Sequence, residues 1–328
     1  MHTYMFITDF RVKLRRPKMP AKSKVRAYVK LLRFESWQAW LFNFLLGCIL
    51  FELPTIERFT VVLVAFLLAA SAVFILNQYF DYENDRENSL KKDLPIASGE
   101  VPPRTALTLF FVFTSISLTS AFLTDISVFV LLLAFMLLGI GYSTPPVCFK
   151  SRAGWDVIVC GIGAGVLPFL IGAQSAPNLT MEFEYFWIVR RYQDVFFTAI
   201  PIFLIQCAGQ IYQVVGDYEA DALAEINTFA VKYGKKTALR FATATLLFTI
   251  TLPIIYELLN LSLIPFLEWY LVAFAFLVPC LLYFMKRTQD ASAKNFKKLR
   301  DFARRAGTGI LLVLIIYVFV VRIVLKGI

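Results

Sequence analysis

Long uncharged runs constrain the fold of this chain more than any other feature of its sequence. Residues 59–76 contain no charged side chain, and an apolar run of about this length can cross the ~30 Å hydrocarbon core of a bilayer as a helix. Only 17% of the 328 residues are charged, whereas a soluble domain usually carries about 25%. The sequence therefore predicts an all-α, multi-pass integral membrane protein.

Nine apolar segments have the length expected of membrane spans. They cover approximately residues 35–53, 59–80, 105–123, 127–145, 155–175, 195–216, 238–257, 263–285 and 307–325. Residues 1–34 precede them, and their basic side chains predict an interfacial N-terminal segment. Residues 35–328 then form one transmembrane domain, with repeat-like halves at about 35–150 and 155–325.

Lysine and arginine are distributed unevenly between the two sides of this topology. If the N-terminus is cytoplasmic, all but five of the 33 Lys and Arg residues fall in cytoplasmic segments. The exceptions are Arg58, Arg190, Arg191, Arg322 and Lys326. This bias is typical of loops retained in the cytoplasm, so we expect a cytoplasmic N-terminus. The basic residues are dispersed over loops and do not indicate a nucleic-acid partner.

A polar motif occurs twice, 136 residues apart. The sequence "DYEND" at 81–85 is matched by "DYEAD" at 217–221, and an amide side chain lies four residues before each copy, at Asn77 and Gln213. The copies end the second and the sixth predicted spans, on the predicted cytoplasmic side. We interpret them as parts of two structural repeats that share one site.

Helical periodicity places three polar side chains of each copy on one face. The two stripes are Asn77, Asp81 and Asp85, and Gln213, Asp217 and Asp221. Glu83 and Glu219 lie on the opposite side and are expected to be solvated or paired with Lys or Arg. Carboxylates one turn apart repel each other unless a cation lies between them. Mg²⁺ takes oxygen ligands from carboxylates, water and phosphates, so the stripes predict a magnesium site. Helix-end charges that face water are the alternative.

Basic side chains surround the stripes on the same predicted side. Lys91, Lys92 and Lys150, together with a metal held by aspartates, would suit a diphosphate. Lys150 is the strongest candidate because it follows "GYSTPPVCFK", where Pro145 and Pro146 stop the helix. For the other lysines taken singly, an ordinary cytoplasmic loop charge is the alternative.

Together these patterns resemble the UbiA superfamily of intramembrane prenyltransferases. The resemblance implies a nine-helix, all-α fold around a central cavity, closed by the loops that carry the motifs. Two positions depart from the family pattern, Gln78 where Asp is frequent and Leu94 in place of a frequent Arg before Pro95. The segments that carry the resemblance are "NQYFDYENDRENSLKKDLPIASG", "YSTPPVCFK" and "DYEADALAEINTFAVKYG".

The resemblance also implies a reaction and a set of site residues. Members transfer a polyprenyl group from its diphosphate to an acceptor, usually aromatic, with Mg²⁺. By position, the metal ligands would be Asn77, Asp81, Asp85, Asp217 and Asp221, with the four aspartates catalytic. Asn77 and Lys150 would help to hold the diphosphate, and Arg33 would lie near the acceptor or entrance. Apart from the resemblance, the repeat and the basic residues around it add Gln213, Lys91 and Lys92 as substrate-binding candidates, and Tyr142 is a candidate for the cavity.

The function that the sequence favours is Mg²⁺-dependent prenyl transfer to a lipophilic acceptor, with an aromatic quinone precursor as the expected acceptor. A glycerol-phosphate lipid or a tetrapyrrole is an alternative acceptor within the superfamily. An ion-coupled transporter is the alternative from another class, since transporters also use internal repeats and membrane carboxylates. The aspartates end their spans instead of lying at the bilayer midplane, which argues against transport. A non-catalytic lipid-binding protein is a third possibility.

Overall fold

Helices make up the regular structure of the part of this protein that the structure describes. The computed structural model describes residues 21–50, 54–88, 91–175 and 185–259, together with residue 316. Within these ranges the extended structure is limited to an isolated bridge between Arg152 and Asn227. The helices are α1 (Ala21–Leu31), α2 (Gln38–Leu50), α3 (Ile56–Glu87), α4 (Pro103–Thr124), α5 (Ile126–Ser143), α6 (Trp155–Cys160), α7 (Leu167–Gln174), α8 (Tyr185–Gly216), α9 (Tyr218–Leu223), α10 (Phe229–Tyr233) and α11 (Lys235–Leu258).

Six helical segments among the described residues are long and apolar enough to cross a membrane. They correspond to the second through seventh predicted spans, which confirms a polytopic membrane fold. The first predicted span, 35–53, contains the shorter helix α2 of 13 residues. The predicted spans 263–285 and 307–325 lie outside the described residues, so the count of nine stays a prediction.

Helix α3 continues beyond the end predicted for its span. The predicted span stopped at residue 80, but the helix runs for 32 residues to Glu87. Its start is capped by Thr55, whose Oγ1 accepts a hydrogen bond from the Arg58 N–H at 3.3 Å. Charged residues end a hydrophobic pattern without breaking a helix, and the first proline that follows is Pro95. The first motif therefore lies on the helix that forms the span.

Helices α2 and α7 pack with their backbones almost in contact. A Cβ atom added at Gly47 would lie 2.1 Å from the Phe169 carbonyl oxygen, and one at Gly172 would lie 1.9 Å from the Phe44 carbonyl oxygen. Each helix thus presents a glycine to the other's backbone, as small residues allow in membrane helix pairs. Phe44 also stacks on Phe66 of α3, with ring centroids 5.0 Å apart, so this pair lies in the main core.

Arg58 connects three elements at the end of α3 opposite the motif. Its Nη2 donates to Asp125 Oδ2 at 2.9 Å, between α4 and α5. The same guanidinium donates to the carbonyl oxygens of Ser175 and Gln174 at 2.9 and 3.1 Å, at the end of α7. Burial alone would raise the pKa of Asp125, but hydrogen bonds from Arg58 and from the Ser127 N–H outweigh it and lower the pKa.

Candidate functional site

The first motif forms a polar stripe on continuous helix. Asn77, Asp81 and Asp85 are spaced by four residues within α3 and share one face. Asn77 Nδ2 donates to Asp81 Oδ2 at 2.8 Å and to Ser143 Oγ, at the end of α5, at 3.3 Å. Asp85 is buried, with 7% of its surface exposed. This burial does not fit a helix-end charge that faces water.

The second motif spans a break between two helices. α8 ends at Gly216 and α9 begins at Tyr218, yet the helical hydrogen bonds continue across the junction. The Asp217 N–H donates to the Gln213 carbonyl at 3.1 Å, and the Asp221 N–H donates to the Asp217 carbonyl at 2.9 Å. The predicted spacing of this stripe is therefore kept. The Gln213 side chain is exposed.

Lys91 brings the two motifs together. Its Nζ lies 3.4 Å from Asp217 Oδ2, and its side chain comes from the loop that follows α3. Burial lowers the pKa of Lys91, but the carboxylates of Asp217, Asp85, Asp221 and Asp81 raise it more, and the net shift is upward. All four aspartates of the repeated motif therefore act on one ammonium group.

Lys150 holds the first motif from the turn after α5. It lies in the short 3₁₀ turn Phe149–Ser151, and its ammonium forms an ion pair with Asp81 Oδ1. The other oxygen of Asp81 accepts from Asn77. Both oxygens of this carboxylate are thus bound by side chains that the sequence placed in the site.

The surroundings of Asp221, the last residue of the second motif, disfavour its ionised form. Burial raises its pKa, and the neighbouring carboxylate of Asp217 raises it further, whereas Lys91 and a hydrogen bond from Thr228 lower it. The net pKa is about 7. Burial and the charge of Asp217 therefore outweigh the stabilisation that Lys91 and Thr228 give to the ionised form of Asp221.

The glutamates within the two motifs, Glu83 and Glu219, lie off the polar stripes, as predicted. Glu83 is exposed and accepts a hydrogen bond from the Tyr82 hydroxyl at 3.0 Å. Glu219 forms an ion pair with Lys235, and the hydrogen bond from the Lys235 ammonium lowers the pKa of Glu219. Lys92 is also exposed, and no ion pair to it occurs among the described residues.

Arg33 lies beside the first motif in a left-handed backbone conformation with φ of 52°. Its guanidinium carbon is 5.2 Å from the centroid of the Phe74 ring, and its charge acts on Asp85. Gln78 holds this segment in place, because its buried Nε2 donates to the Leu31 carbonyl at 2.9 Å. The departure from the family pattern at Gln78 thus has a structural role that sequence reasoning did not assign.

Tyr142 lies at the contact between α5 and α8. Its hydroxyl oxygen accepts from Gln210 Nε2 of α8 at 3.0 Å, and the Cys160 thiol donates to Gln210 Oε1 at 3.2 Å. The charges of Asp81 and Asp221 also act on the Tyr142 phenol. Gln210 was missed from the sequence, although an amide inside an apolar span is a recognised signal of function.

The side chains of the motifs have the donor chemistry that magnesium requires. Carboxylate oxygens and an amide oxygen are hard ligands of the kind Mg²⁺ binds, and the four carboxylates already act on a single cation, Lys91. Among the described residues, no three Asp, Glu, His or Cys side chains are grouped closely enough to hold a metal by themselves. By donor type and charge the residues fit a divalent cation.

The sequence comparison identifies the class of protein that this fold and site define. Residues 40–321 match the UbiA prenyltransferase family. The chain belongs to this family, which confirms the resemblance drawn from the motifs.

Individual relatives match only part of the chain. A decaprenyl-phosphate phosphoribosyltransferase from Mycobacterium tuberculosis is 26% identical over 44% of this chain and 46% of the relative. A protoheme IX farnesyltransferase from Leptospira biflexa is 29% identical over 46% of this chain and 53% of the relative. The chloroplastic 2-acyl-4-prenylphloroglucinol 6-prenyltransferase of Humulus lupulus is 29% identical over 53% of this chain and 42% of the relative. The chain spans about half the length of the curated relatives that it matches.

Solved structures match over most of the chain. A UbiA homolog from Archaeoglobus fulgidus, bound to GPP and Mg²⁺, superposes with a TM-score of 0.68. The match covers 87% of this chain and 99% of the homolog at 21% sequence identity. At this identity the likeness establishes the shared fold.

Proposed function

We propose that this protein transfers a polyprenyl group from an isoprenyl diphosphate to a lipophilic acceptor, in a reaction that requires Mg²⁺. The observation that carries the proposal is the ion pair at 3.4 Å between Lys91, which follows the first motif, and Asp217 of the second. The other three motif carboxylates also raise the pKa of Lys91. Membership of the UbiA prenyltransferase family supports it. So does the shared fold with a homolog that binds GPP and Mg²⁺.

Asp81, Asp85, Asp217 and Asp221, with Asn77, are the residues that would hold the metal. When bound, Mg²⁺ would neutralise charge on the diphosphate leaving group. Asn77 orients Asp81 through the hydrogen bond between their side chains. The burial of Asp85 keeps water from competing for that carboxylate.

In this proposal Lys91 and Lys150 each leave a carboxylate partner and contact the diphosphate instead. Each is paired with a motif carboxylate, Lys91 with Asp217 and Lys150 with Asp81. A divalent cation on those carboxylates would take over their neutralisation and release both ammonium groups for phosphate oxygens. Ammonium–phosphate hydrogen bonds are charge-assisted and strong, so the lysines would stabilise the departing diphosphate. Lys92, Gln213 and Arg33 would act at the rim of the same site.

In this proposal Tyr142 would meet the allylic end of the donor. The face of an aromatic ring stabilises a cation, and loss of diphosphate leaves positive charge on the prenyl group. Gln210 fixes the phenol by donating to its oxygen. The acceptor would then attack the allylic carbon within the central cavity that we propose for the bundle.

An aromatic quinone precursor is our proposal for the acceptor, in keeping with the phloroglucinol named for the relative from Humulus lupulus. The relatives named for protoheme and for decaprenyl phosphate define two further groups of substrates to test. A glycerol-phosphate lipid is a fourth. We also propose that two repeat-like halves form the bundle and that the N-terminus and motif loops face the cytoplasm.

The test uses the full chain purified into lipid nanodiscs. Geranyl, farnesyl and longer prenyl diphosphates are each incubated with a hydroxybenzoate, a dihydroxynaphthoate, protoheme or a glycerol-phosphate lipid, with Mg²⁺ or with EDTA. We expect diphosphate release and a prenylated product that both require Mg²⁺ and an acceptor. A parallel assay supplies decaprenyl phosphate and a phosphoribosyl diphosphate donor.

Two results would contradict the proposal. One is the absence of Mg²⁺-dependent diphosphate release with every donor and acceptor pair. The other is ion-coupled uptake of a solute into proteoliposomes that Asp217→Asn abolishes, because transport would then be the function that these carboxylates serve.

A further inference from the structure

Asp156 is a buried carboxylate outside the repeated motif. It lies at the start of α6 with none of its surface exposed, and each of its oxygens accepts a backbone hydrogen bond. Oδ1 accepts from the Gly154 N–H at 2.7 Å, and Oδ2 accepts from the Phe229 N–H at 2.8 Å. Phe229 is 73 residues away in the chain and begins the short helix α10. Asp156 therefore ties the start of α6 to the loop that follows the second motif.

The loop held by Asp156 closes back onto Asp221. Thr228, which precedes Phe229, is buried; its Oγ1 accepts from the Val231 N–H at 3.5 Å, and its hydroxyl lies close enough to the Asp221 carboxylate to lower the pKa of that group. The Ile226 N–H donates to the Asp221 carbonyl at 2.8 Å. Residues 226–228 thus hold the main chain of Asp221 and place a hydroxyl beside its carboxylate, next to the Asp156 contact.

Residues 150–156, the short segment that contains Asp156, also contact the first motif. Lys150, six residues before Asp156, pairs with Asp81, and Arg152 forms the backbone bridge to Asn227. Residues 150–156 therefore contact a motif aspartate from one half directly and hold the loop of the other.

We propose that Asp156 is a positioning residue for the metal–diphosphate site, acting through the Phe229 N–H and the Thr228 hydroxyl to set Asp221 against Lys150 and the first motif. This inference rests on the function proposed above. A carboxylate is needed because both oxygens accept from N–H groups. An asparagine offers one acceptor and turns an NH₂ group toward the second N–H, which leaves a buried donor unsatisfied.

The first measurement needs no turnover. Hydrogen exchange is followed at the amides of residues 224–230 in nanodiscs for the wild type, Asp156→Asn and the exposed control Asp93→Asn. We expect exchange at Phe229 to be at least about tenfold faster in Asp156→Asn only, since the hydrogen bond lost is to a charged group. Unchanged protection of Phe229 would overturn the inference whatever reaction the protein catalyses.

The second measurement separates positioning from general loss of structure. Binding of Mn²⁺ in the presence of inorganic pyrophosphate is titrated by electron paramagnetic resonance, and the Mg²⁺ concentration for half-maximal rate is measured where turnover is found. Asp156→Asn and Thr228→Val should each raise the Mn²⁺ concentration for half-maximal binding, and the Mg²⁺ concentration for half-maximal rate, by about tenfold. The acceptor KM should be unchanged. Thr228→Ser, which keeps the hydroxyl, should restore wild-type behaviour.

A double variant tests whether the two residues act along one route. Asp156→Asn combined with Thr228→Val should be no worse than the more severe single variant, because both remove the same support of Asp221. Fully additive losses would overturn the proposed route, as would Thr228→Ser behaving like Thr228→Val. If no substrate is turned over, pyrophosphate-dependent Mn²⁺ binding and the exchange data still decide the inference, so its failure is distinguishable from failure of the proposed function.

Discussion

The Lys91 ammonium and the Asp217 carboxylate lie 3.4 Å apart, although 126 residues separate them in the chain. Lys91 follows the first motif and Asp217 begins the second, so this contact joins the two copies. The ammonium provides charge that the converging carboxylates require. In the proposed enzyme it would be displaced when a divalent cation binds, and it would then be free to contact the diphosphate.

Replacement of Lys91 by methionine should have opposite effects on the two ligands. Without the competing ammonium, binding of Mn²⁺ alone should become at least about fivefold tighter, because a like charge about 4 Å from a cation costs on the order of 1 kcal/mol even in water. Binding of inorganic pyrophosphate with Mn²⁺ should weaken. Calorimetric titration measures both, with the exposed Lys236→Met as the matched control. Weaker or unchanged binding of Mn²⁺ alone would contradict the role given to Lys91.

Asp81→Ala and Asp217→Ala should each abolish turnover without unfolding the protein. Each removes a carboxylate from the site that neutralises the diphosphate, and loss of one electrostatic group of this kind typically costs about 10²–10³ in rate. Product formation is compared at saturating Mg²⁺, alongside the melting temperature in detergent. Glu83→Ala, on the exposed side of α3, should retain wild-type activity. Full activity in either aspartate variant would rule out a shared site.

Gly172→Val should destabilise the bundle severely. The added side chain would meet the Phe44 backbone, where even a Cβ would lie 1.9 Å from the carbonyl oxygen. Because backbone cannot move aside as a flexible side chain can, α2 and α7 must separate, and overpacking of this kind costs about 1–3 kcal/mol or more. Size-exclusion profiles after heating measure the loss. Gly209→Ala is the control, since nothing lies within 4 Å of a Cβ there; equal stability of the two variants would contradict this account.

The contact between Arg58 and Asp125 should make stability depend on acid pH. The pKa of Asp125 is lowered in the folded protein, so its contribution is present above the unfolded pKa of about 4. That contribution is lost as the pH falls through the lower, folded value. Asp125→Asn should lower the melting temperature at pH 7 and flatten its fall between pH 5 and pH 3. A pH dependence identical to that of the wild type would show that this ion pair does not contribute.

Several features of the site could be predicted because they depend on local geometry alone. The face shared by Asn77, Asp81 and Asp85 follows from the period of a helix, and so does the outward direction of Glu83. The same period holds for the second motif even across the break at Asp217, because the helical hydrogen bonds continue there. The turn that presents Lys150 was predicted from two prolines.

Other features required contacts between distant parts of the chain. Charge distribution placed Lys91 and Lys92 in one loop without distinguishing them, and packing directs only Lys91 at the carboxylates. In the sequence, Asp156 is a lone polar residue at the start of a span, and only the fold brings the Phe229 N–H to its carboxylate. Gln210 and Tyr142 are 68 residues apart, and their contact depends on how α5 and α8 pack.

The sequence by itself determined the membrane-spanning class, the family and the paired aspartate stripes, because hydrophobic length and helical period are properties of neighbouring residues. Tertiary structure decided which cations meet those stripes and which buried groups hold them, since electrostatic and hydrogen-bond partners are selected by helix packing. The site therefore combines a motif that is repeated in the sequence with contacts made by Lys91 and by residues 150–156. Those contacts form only when the helices pack.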